Sequence, residues 1–263
     1  MGIHLVIKFL NLLPTSCKKL CDVTFKVMIF NPTTIQAFDK FFEELKENLK
    51  SLKVHDISCT DISPMEEDIL KNVSLCQKLE VLEIHDSRII SNSTLTKFSK
   101  LPNLKRLILK RLEPQTTELG QFFQKVKLDN LEYLCIERSQ SLTDNAVQNL
   151  AIKMPTNLKD IWFYECPYMK LQESTLKRLK SCPKLENVRM EWSNLNGIST
   201  NFLREFNNQI NLFVSYNGSW IELEKKLKID YHKEVIDYHQ EVIDHHRVKV
   251  SKIIEGNGFR IYE

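Results

Sequence analysis

No stretch of this chain carries the fingerprint of a reaction. There is no Gly-x-Ser-x-Gly elbow to present a nucleophile, no His-Glu-x-x-His, no Walker loop and no kinase signature. Gly256-Asn-Gly258 is too short and too late in the chain to cradle a phosphate. An enzyme is therefore not expected, and no cofactor is implied. Charge of one sign is lacking as well. Lys and Arg number 37 against 34 Asp and Glu, which leaves +3 over 263 residues, too little for a general affinity for nucleic acid or an anionic membrane. The seven cysteines, at 17, 21, 59, 76, 135, 166 and 182, lack the paired spacing of a disulfide framework or a zinc site. Cys17 and Cys21 have no second pair or nearby histidine to complete a tetrahedral metal set. Reduced thiols in a cytoplasmic or nuclear protein fit this usage. The sequons at Asn72, Asn92 and Asn217 would matter only in a secreted chain.

Long apolar runs are missing too, since nothing approaches the roughly 18 residues of a membrane helix. The most apolar segment is 3–13, IHLVIKFLNLL. Lys8 interrupts it, no basic region precedes it, and Pro-Thr-Ser-Cys after it is no clear cleavage site, so a secretory signal is the weaker reading. Ile3, Val6, Ile7, Leu10 and Leu13 keep helical spacing, and Leu5, Phe9 and Leu12 widen the buried face. Residues 1–22 are thus expected to hold an N-terminal capping helix. Val6 stands where a myristoylation signal needs Ser or Thr.

What the chain does have is a period. Leu131, Leu134 and Ile136 give L-x-x-L-x-L, followed at once by the helix-like LTDNAVQNL. Leu134 and Ile136 would point inward from a short strand, and Leu142, Ala146, Val147 and Leu150 would form the inner stripe of a returning helix capped by Asp144. The frame recurs at Leu79, Leu82, Ile84; Leu104, Leu107, Leu109; Leu158, Ile161, Phe163; and Leu185, Val188, Met190, with steps of 25, 27, 27 and 27 between first positions. Upstream it continues at Leu49, Leu52 and Val54, and Phe25, Val27 and Phe30 align with Leu52, Val54 and Ile57 at 27. Downstream, Ile210 and Phe213 fall in the frame but Ser215 takes the third core position, so the array is expected to decay there. One such unit cannot bury its own apolar face, and stacking is what makes the sequence intelligible.

Period and frame resemble the cysteine-containing leucine-rich repeats of F-box/leucine-rich-repeat proteins, with Cys166 three places after Phe163 and Cys76 and Cys182 three places before Leu79 and Leu185. The resemblance covers about residues 23–215. Of the positions matching the family's turn cysteine, Phe30, Ile57, Ser87, Leu112, Ser139, Cys166 and Ser193, one is cysteine. The fold implied is an α/β leucine-rich-repeat solenoid, a horseshoe with parallel strands on the concave side and helices on the convex side. It would occupy 23–220 in about seven to eight repeats. The function implied is substrate recognition in an F-box type, cullin-RING ubiquitin ligase. An F-box precedes the repeats in that family, and nothing between Met1 and Val23 has room for one, so a ligase adaptor is a partner only if an F-box lies upstream. The alternatives are a stand-alone scaffold or adaptor and, less favoured, a secreted recognition protein.

Convex helices are expected over Thr34–Leu45, Met65–Val73, Leu95–Leu101, Thr117–Val126, Asp144–Ile152, Ser174–Leu179 and Thr200–Phe206. Residues 221–263 form a charged, His-rich helical tail with tandem DYHKEVI, DYHQEVI and DHHRVKV. His232, His239 and His246 would lie about 10 Å apart on a helix, too far to share a metal. The tail packs on the last repeat, stays mobile or self-associates.

Strand alternation also names the outward residues. One column reads Lys53, Glu83, Ile108, Cys135, Trp162 and Arg189; the next reads His55, His85, Lys110, Glu137, Tyr164 and Glu191. The first repeats give a charged, solvated face. From Ile108 on the face turns apolar and aromatic, with Trp192 one column further, and such residues on an outward surface need a cover. Either the tail folds over them or a protein partner does, Trp, Tyr and Arg being common interface anchors. Ile108, Lys110, Cys135, Glu137, Trp162, Tyr164, Arg189, Glu191 and Trp192 are the candidate partner-binding set on the concave face. No catalytic or metal residue is nominated.

Overall fold

Each L-x-L of the frame becomes a strand, and each following stripe a helix laid behind it. The computed structural model describes residues 3–17, 19–30, 32–59, 70–85, 92–112, 119–126, 129–153, 155–191, 195, 197–216 and 219–222. After the leading helix α1 (Ile3–Ser16), strand and helix alternate as β1 (Asp22–Phe30), α2 (Pro32–Leu45), β2 (Ser51–Cys59), a 3-10 turn (Lys71–Leu75), β3 (Val81–His85) and α3 (Asn92–Phe98). They continue as β4 (Arg106–Lys110), α4 (Leu119–Lys125), β5 (Tyr133–Glu137), α5 (Asp144–Ile152), β6 (Asp160–Tyr164), α6 (Glu173–Leu179), β7 (Asn187–Glu191) and α7 (Thr200–Asn207). β8 (Asn211–Tyr216) and β9 (Ser219–Glu222) end the sheet. The strands stand in chain order, β1 to β8 parallel and β9 antiparallel to β8. This is an open α/β solenoid of leucine-rich-repeat type.

The core lies between sheet and helices. Leu134, Ile136, Ile161, Phe163, Val188 and Met190 are fully buried, as are Ala146, Val147, Leu176 and Phe206 on the helices behind them. The first repeat has a different filling. Phe25, Phe38, Phe41 and Phe42 form one aromatic cluster with ring centroids 4.9–6.0 Å apart, and α1 packs beside α2 with Leu10 buried.

Three devices fix the repeats to one another. Asn103, Asn130 and Asn157, each just before the first core leucine, donate Nδ2 to a carbonyl one repeat back: Gln77 at 2.8 Å, Pro102 at 2.7 Å and Asp129 at 2.7 Å. They satisfy carbonyls that no strand can reach. Where the next repeat has Lys184 instead, its Nζ donates to Asn157 Oδ1 at 2.7 Å. After the strands, Arg111, Arg138 and Glu165 take positive φ of 53°, 54° and 49°, a conformation costly for non-glycine residues. Hydrogen bonds from Arg111 N to Glu137 O and from Arg138 N to Tyr164 O hold the first two there, both at 2.8 Å. The following residues, Leu112, Ser139 and Cys166, then turn inward and are buried. The Cys166 thiol donates to Tyr164 O at 3.4 Å.

Helix starts are shared between repeats as well. Asp144 does not cap its own helix as its position suggests: Thr143 does, its hydroxyl accepting from Ala146 N at 3.3 Å. Asp144 Oδ1 instead accepts from Gln172 N at 3.0 Å and Thr175 Oγ1 at 2.6 Å in the next repeat. Glu173 repeats this toward Ser199, accepting from its amide at 3.0 Å and its hydroxyl at 2.8 Å.

Two frames expected from sequence are corrected at the ends of the array. β1 pairs Val23 with Leu52 and Phe25 with Val54, two residues from the expected alignment; parity is kept, so the same face stays inward. β8 pairs Val188 with Leu212 and Met190 with Val214. Its core residues are Leu212 and Val214, both buried, and Phe213 faces outward, a slip of one residue that reverses the face. Asn207, whose Oδ1 accepts from Leu212 N at 2.8 Å, sets the tighter entry to this strand. Most of the expected Met65–Val73 helix, Trp192 and the tail beyond Glu222 lie outside the described residues.

Candidate functional site

Side chains alternate along a strand, so every second residue of β2 to β8 faces away from the helices. Register then arranges them in rows. The middle row runs Lys53, Glu83, Ile108, Cys135, Trp162, Arg189, Phe213. On one side stand Arg106, Tyr133, Asp160, Asn187 and Asn211, and on the other His55, His85, Lys110, Glu137 and Tyr164. The parallel strands therefore bring the sequence-nominated residues other than Trp192 onto one face, with Glu191 on β7 beside them.

The C-terminal half of this face is a row of rings and guanidinium groups. Arg189 lies between two aromatics, 4.6 Å from the Trp162 ring centre and 4.5 Å from that of Phe213. Arg106 lies over Tyr133 at 3.8 Å, and the Tyr133 and Trp162 rings are 6.1 Å apart. Stacking of this kind pre-orients a guanidinium while its edge keeps its donors. Tyr133, Trp162, Arg189 and Phe213 are each partly accessible. Ile108 and Cys135 belong to the same face but are nearly covered, at 5% and 4% exposure, because short side chains lie below longer neighbours. Burial pushes the Cys135 thiol up to about 11 and, as its first cause, the Tyr133 hydroxyl up to about 12, so both are neutral hydrogen-bonding groups near pH 7.

Ion pairs and amides frame the row. Lys110 Nζ is 2.8 Å from Glu137, and Arg138 pairs with Glu165 across the strand ends. Burial, followed by repulsion from Glu165, raises the Glu191 carboxyl. Asn187 donates to Asp160 at 2.8 Å, and Asn211 to Asn187 at 3.0 Å. The aromatic patch thus rests on a hydrogen-bonded base.

Sequence reasoning passed over Arg106, Tyr133 and Phe213. The first two stand two residues before Ile108 and Cys135, where the same alternation would have found them; Phe213 was hidden by the one-residue slip in frame. It also read Glu83, His55 and His85 as a solvated face, whereas the structure draws them together. Glu83 Oε1 is 2.7 Å from His85 Nε2 and 3.6 Å from His55 Nε2, and the two imidazoles stack at 4.1 Å and 3°. The signal was a Glu-x-His on one strand beside a histidine in the same column of the previous repeat.

Cys17, Cys21, Cys76, Cys135, Cys166 and Cys182 are free thiols. Burial pushes Cys76 and Cys166 up to about 12 and Cys182 up to about 11, which leaves them unreactive near pH 7. Among the described residues no helix is long and apolar enough to cross a membrane.

No family model and no curated protein matches this chain. Among solved structures it is similar to one described as the crystal structure of the Rad7 and Elc1 complex in yeast, at 14% identity and a TM-score of 0.47, over 81% of this chain and 69% of that chain.

Proposed function

We propose that the chain is a protein-binding module whose partner docks on the concave sheet face, centred on Trp162, Arg189 and Phe213. One observation carries this reading. Arg189 is held between two partly accessible rings, on a surface where solvation alone would favour separate charged side chains. Aromatic groups and arginine in a fixed array are the side chains that dominate association energies. Tyr133 and Arg106 extend the patch; Lys110, Glu137, Tyr164 and Glu191 form its polar border. The two guanidinium groups favour a partner segment that carries a carboxylate next to an apolar side chain.

The finer reading is substrate recognition for a cullin-RING ubiquitin ligase, and it rests on the resemblance of the repeats to those of F-box/leucine-rich-repeat proteins. A scaffold without a ligase connection uses the same surface. Capture from cells with the full chain, its Trp162→Ala variant and its Tyr168→Ala variant tests the site; Tyr168 is 63% exposed and lies in the turn after β6. A partner retained by wild type and Tyr168→Ala but lost from Trp162→Ala supports the reading. A partner retained by all three removes the site. Cullin-ligase subunits among the retained proteins would support the ligase role, and their absence the scaffold.

A further inference from the structure

We propose that His55, Glu83 and His85, at the other end of the same sheet face, form a site for a divalent transition-metal ion, zinc by preference. The site is independent of the protein-docking reading.

The geometry comes from register. His55 of β2 and His85 of β3 are directly paired, and Glu83 stands two residues before His85 on the same side of its strand. One ligand atom from each residue can be chosen so that all lie within 4.8 Å of one another. Zinc binds imidazole nitrogen and carboxylate oxygen at about 2.0–2.2 Å, so donors on a tetrahedral ion stand roughly 3.3 Å apart. The two separations from Glu83 Oε1, 2.7 Å and 3.6 Å, lie on either side of that value. The two imidazole planes, parallel within 3°, would have to tilt so that their in-plane lone pairs converge on the ion, and three protein ligands would leave one position for water.

The ring nitrogens are those of a binding site rather than of a solvated face. Both Nε2 atoms are withdrawn from solvent and lie toward the Glu83 carboxylate. Buried polar atoms need partners, and a bound ion is one way of supplying them. The rings stack at 4.1 Å. Burial, then His55 and Lys110, hold His85 below the usual histidine range, which favours the neutral imidazole that metals require.

Charges facing the site do not exclude a cation. Lys53 Nζ lies 3.6 Å from Glu83 Oε2, on the oxygen opposite the histidines. Lys110 is engaged by Glu137 at 2.8 Å. Lys26, in register with His55 on β1, is exposed. Two imidazoles and one carboxylate form a donor set that suits zinc better than calcium or magnesium, which prefer all-oxygen shells.

The test is titration of the full chain with Zn2+ by calorimetry and with Co2+ by visible absorption, since tetrahedral Co2+ absorbs strongly. Four other histidines, His232, His239, His245 and His246, occur in the tail, so a variant with these four changed to Gln is run in parallel. The proposal expects wild type, the tail variant and Trp162→Ala to bind with similar affinity. His55→Ala and His85→Ala should each weaken binding roughly 100-fold or more, at the upper end of what loss of even an outer-shell partner costs. Circular dichroism checks their folding, and His85→Gln and Glu83→Gln serve if an alanine variant unfolds. Failure of wild type to bind Zn2+ at micromolar concentration overturns the proposal. So does binding that survives in the site variants and is lost in the tail variant.

Discussion

The Asp144 carboxylate joins two repeats: Oδ2 accepts from Gln148 Nε2 of its own helix at 2.9 Å, while Oδ1 lies 2.6 Å from the Thr175 hydroxyl of the following repeat. Thr175 is fully buried, and the same oxygen takes the amide of Gln172, the cap residue of α6. Asp144→Ala should therefore cost about 1–3 kcal/mol, the usual penalty for stranding buried donors. The loss should appear as faster hydrogen exchange in α6, with smaller change in α5, which Thr143 still caps. Asp144→Asn, which keeps an acceptor, should recover part of it. Loosening confined to α5 would show that the link between repeats carries no energy.

Trp162 and Phe163 are neighbours on opposite faces of β6, and this predicts opposite behaviour. Phe163 is fully buried, so Phe163→Ala should destabilise by about 3–5 kcal/mol. Trp162→Ala removes contacts with Arg189 and Tyr133 and should cost about 1 kcal/mol or less, while removing about 2 kcal/mol or more of partner affinity. Chemical denaturation of both variants decides it. Equal destabilisation would mean that the tryptophan belongs to the internal packing.

His85 gives the fold an acid sensitivity of known sign. Burial, the stacked His55 and Lys110 lower its proton affinity on folding, against a smaller opposing pull from Glu83. A histidine depressed in the folded state binds fewer protons there than when unfolded. Its contribution is complete above the unfolded value of 6.5 and is lost as pH falls through the lower folded value. In chelator-containing buffer the thermal midpoint should drop between about pH 7 and about pH 5, and His85→Gln should flatten that slope. An identical slope in the variant would remove His85 as its source.

The fold was legible because its core repeats. Leu134 and Ile136, or Ile161 and Phe163, declare a strand face by alternation alone, and the same alternation put Trp162 on the outer face. Legibility ended where the period breaks. Phe213 looked like a core residue because the step into β8 is shorter, and Phe25 was set against Leu52 although it pairs with Val54, since the first repeat fills its core with phenylalanines of α2 and lacks the leucine frame. Contacts between repeats were invisible for another reason. Asp144 and Thr175, or His55 and His85, are about one repeat apart in sequence, and only the stacking distance of adjacent strands makes them neighbours. Asn103, Asn130 and Asn157 did recur in the sequence, but their carbonyl partners carry no side-chain signal.

Strand order along the sheet equals order along the chain, with each strand bonded only to those before and after it. Under tension applied at the two ends, such an array has no long-range strand clamp that must shear before anything else yields. Repeats can peel away singly, each releasing a comparable length of chain. In the middle of the array that length is the 27 residues separating paired positions such as Leu107, Leu134, Ile161 and Val188, or about 90 Å when fully extended. Mechanically the protein is a row of weak links in series, and it would lengthen in steps well before the last of its strands came apart.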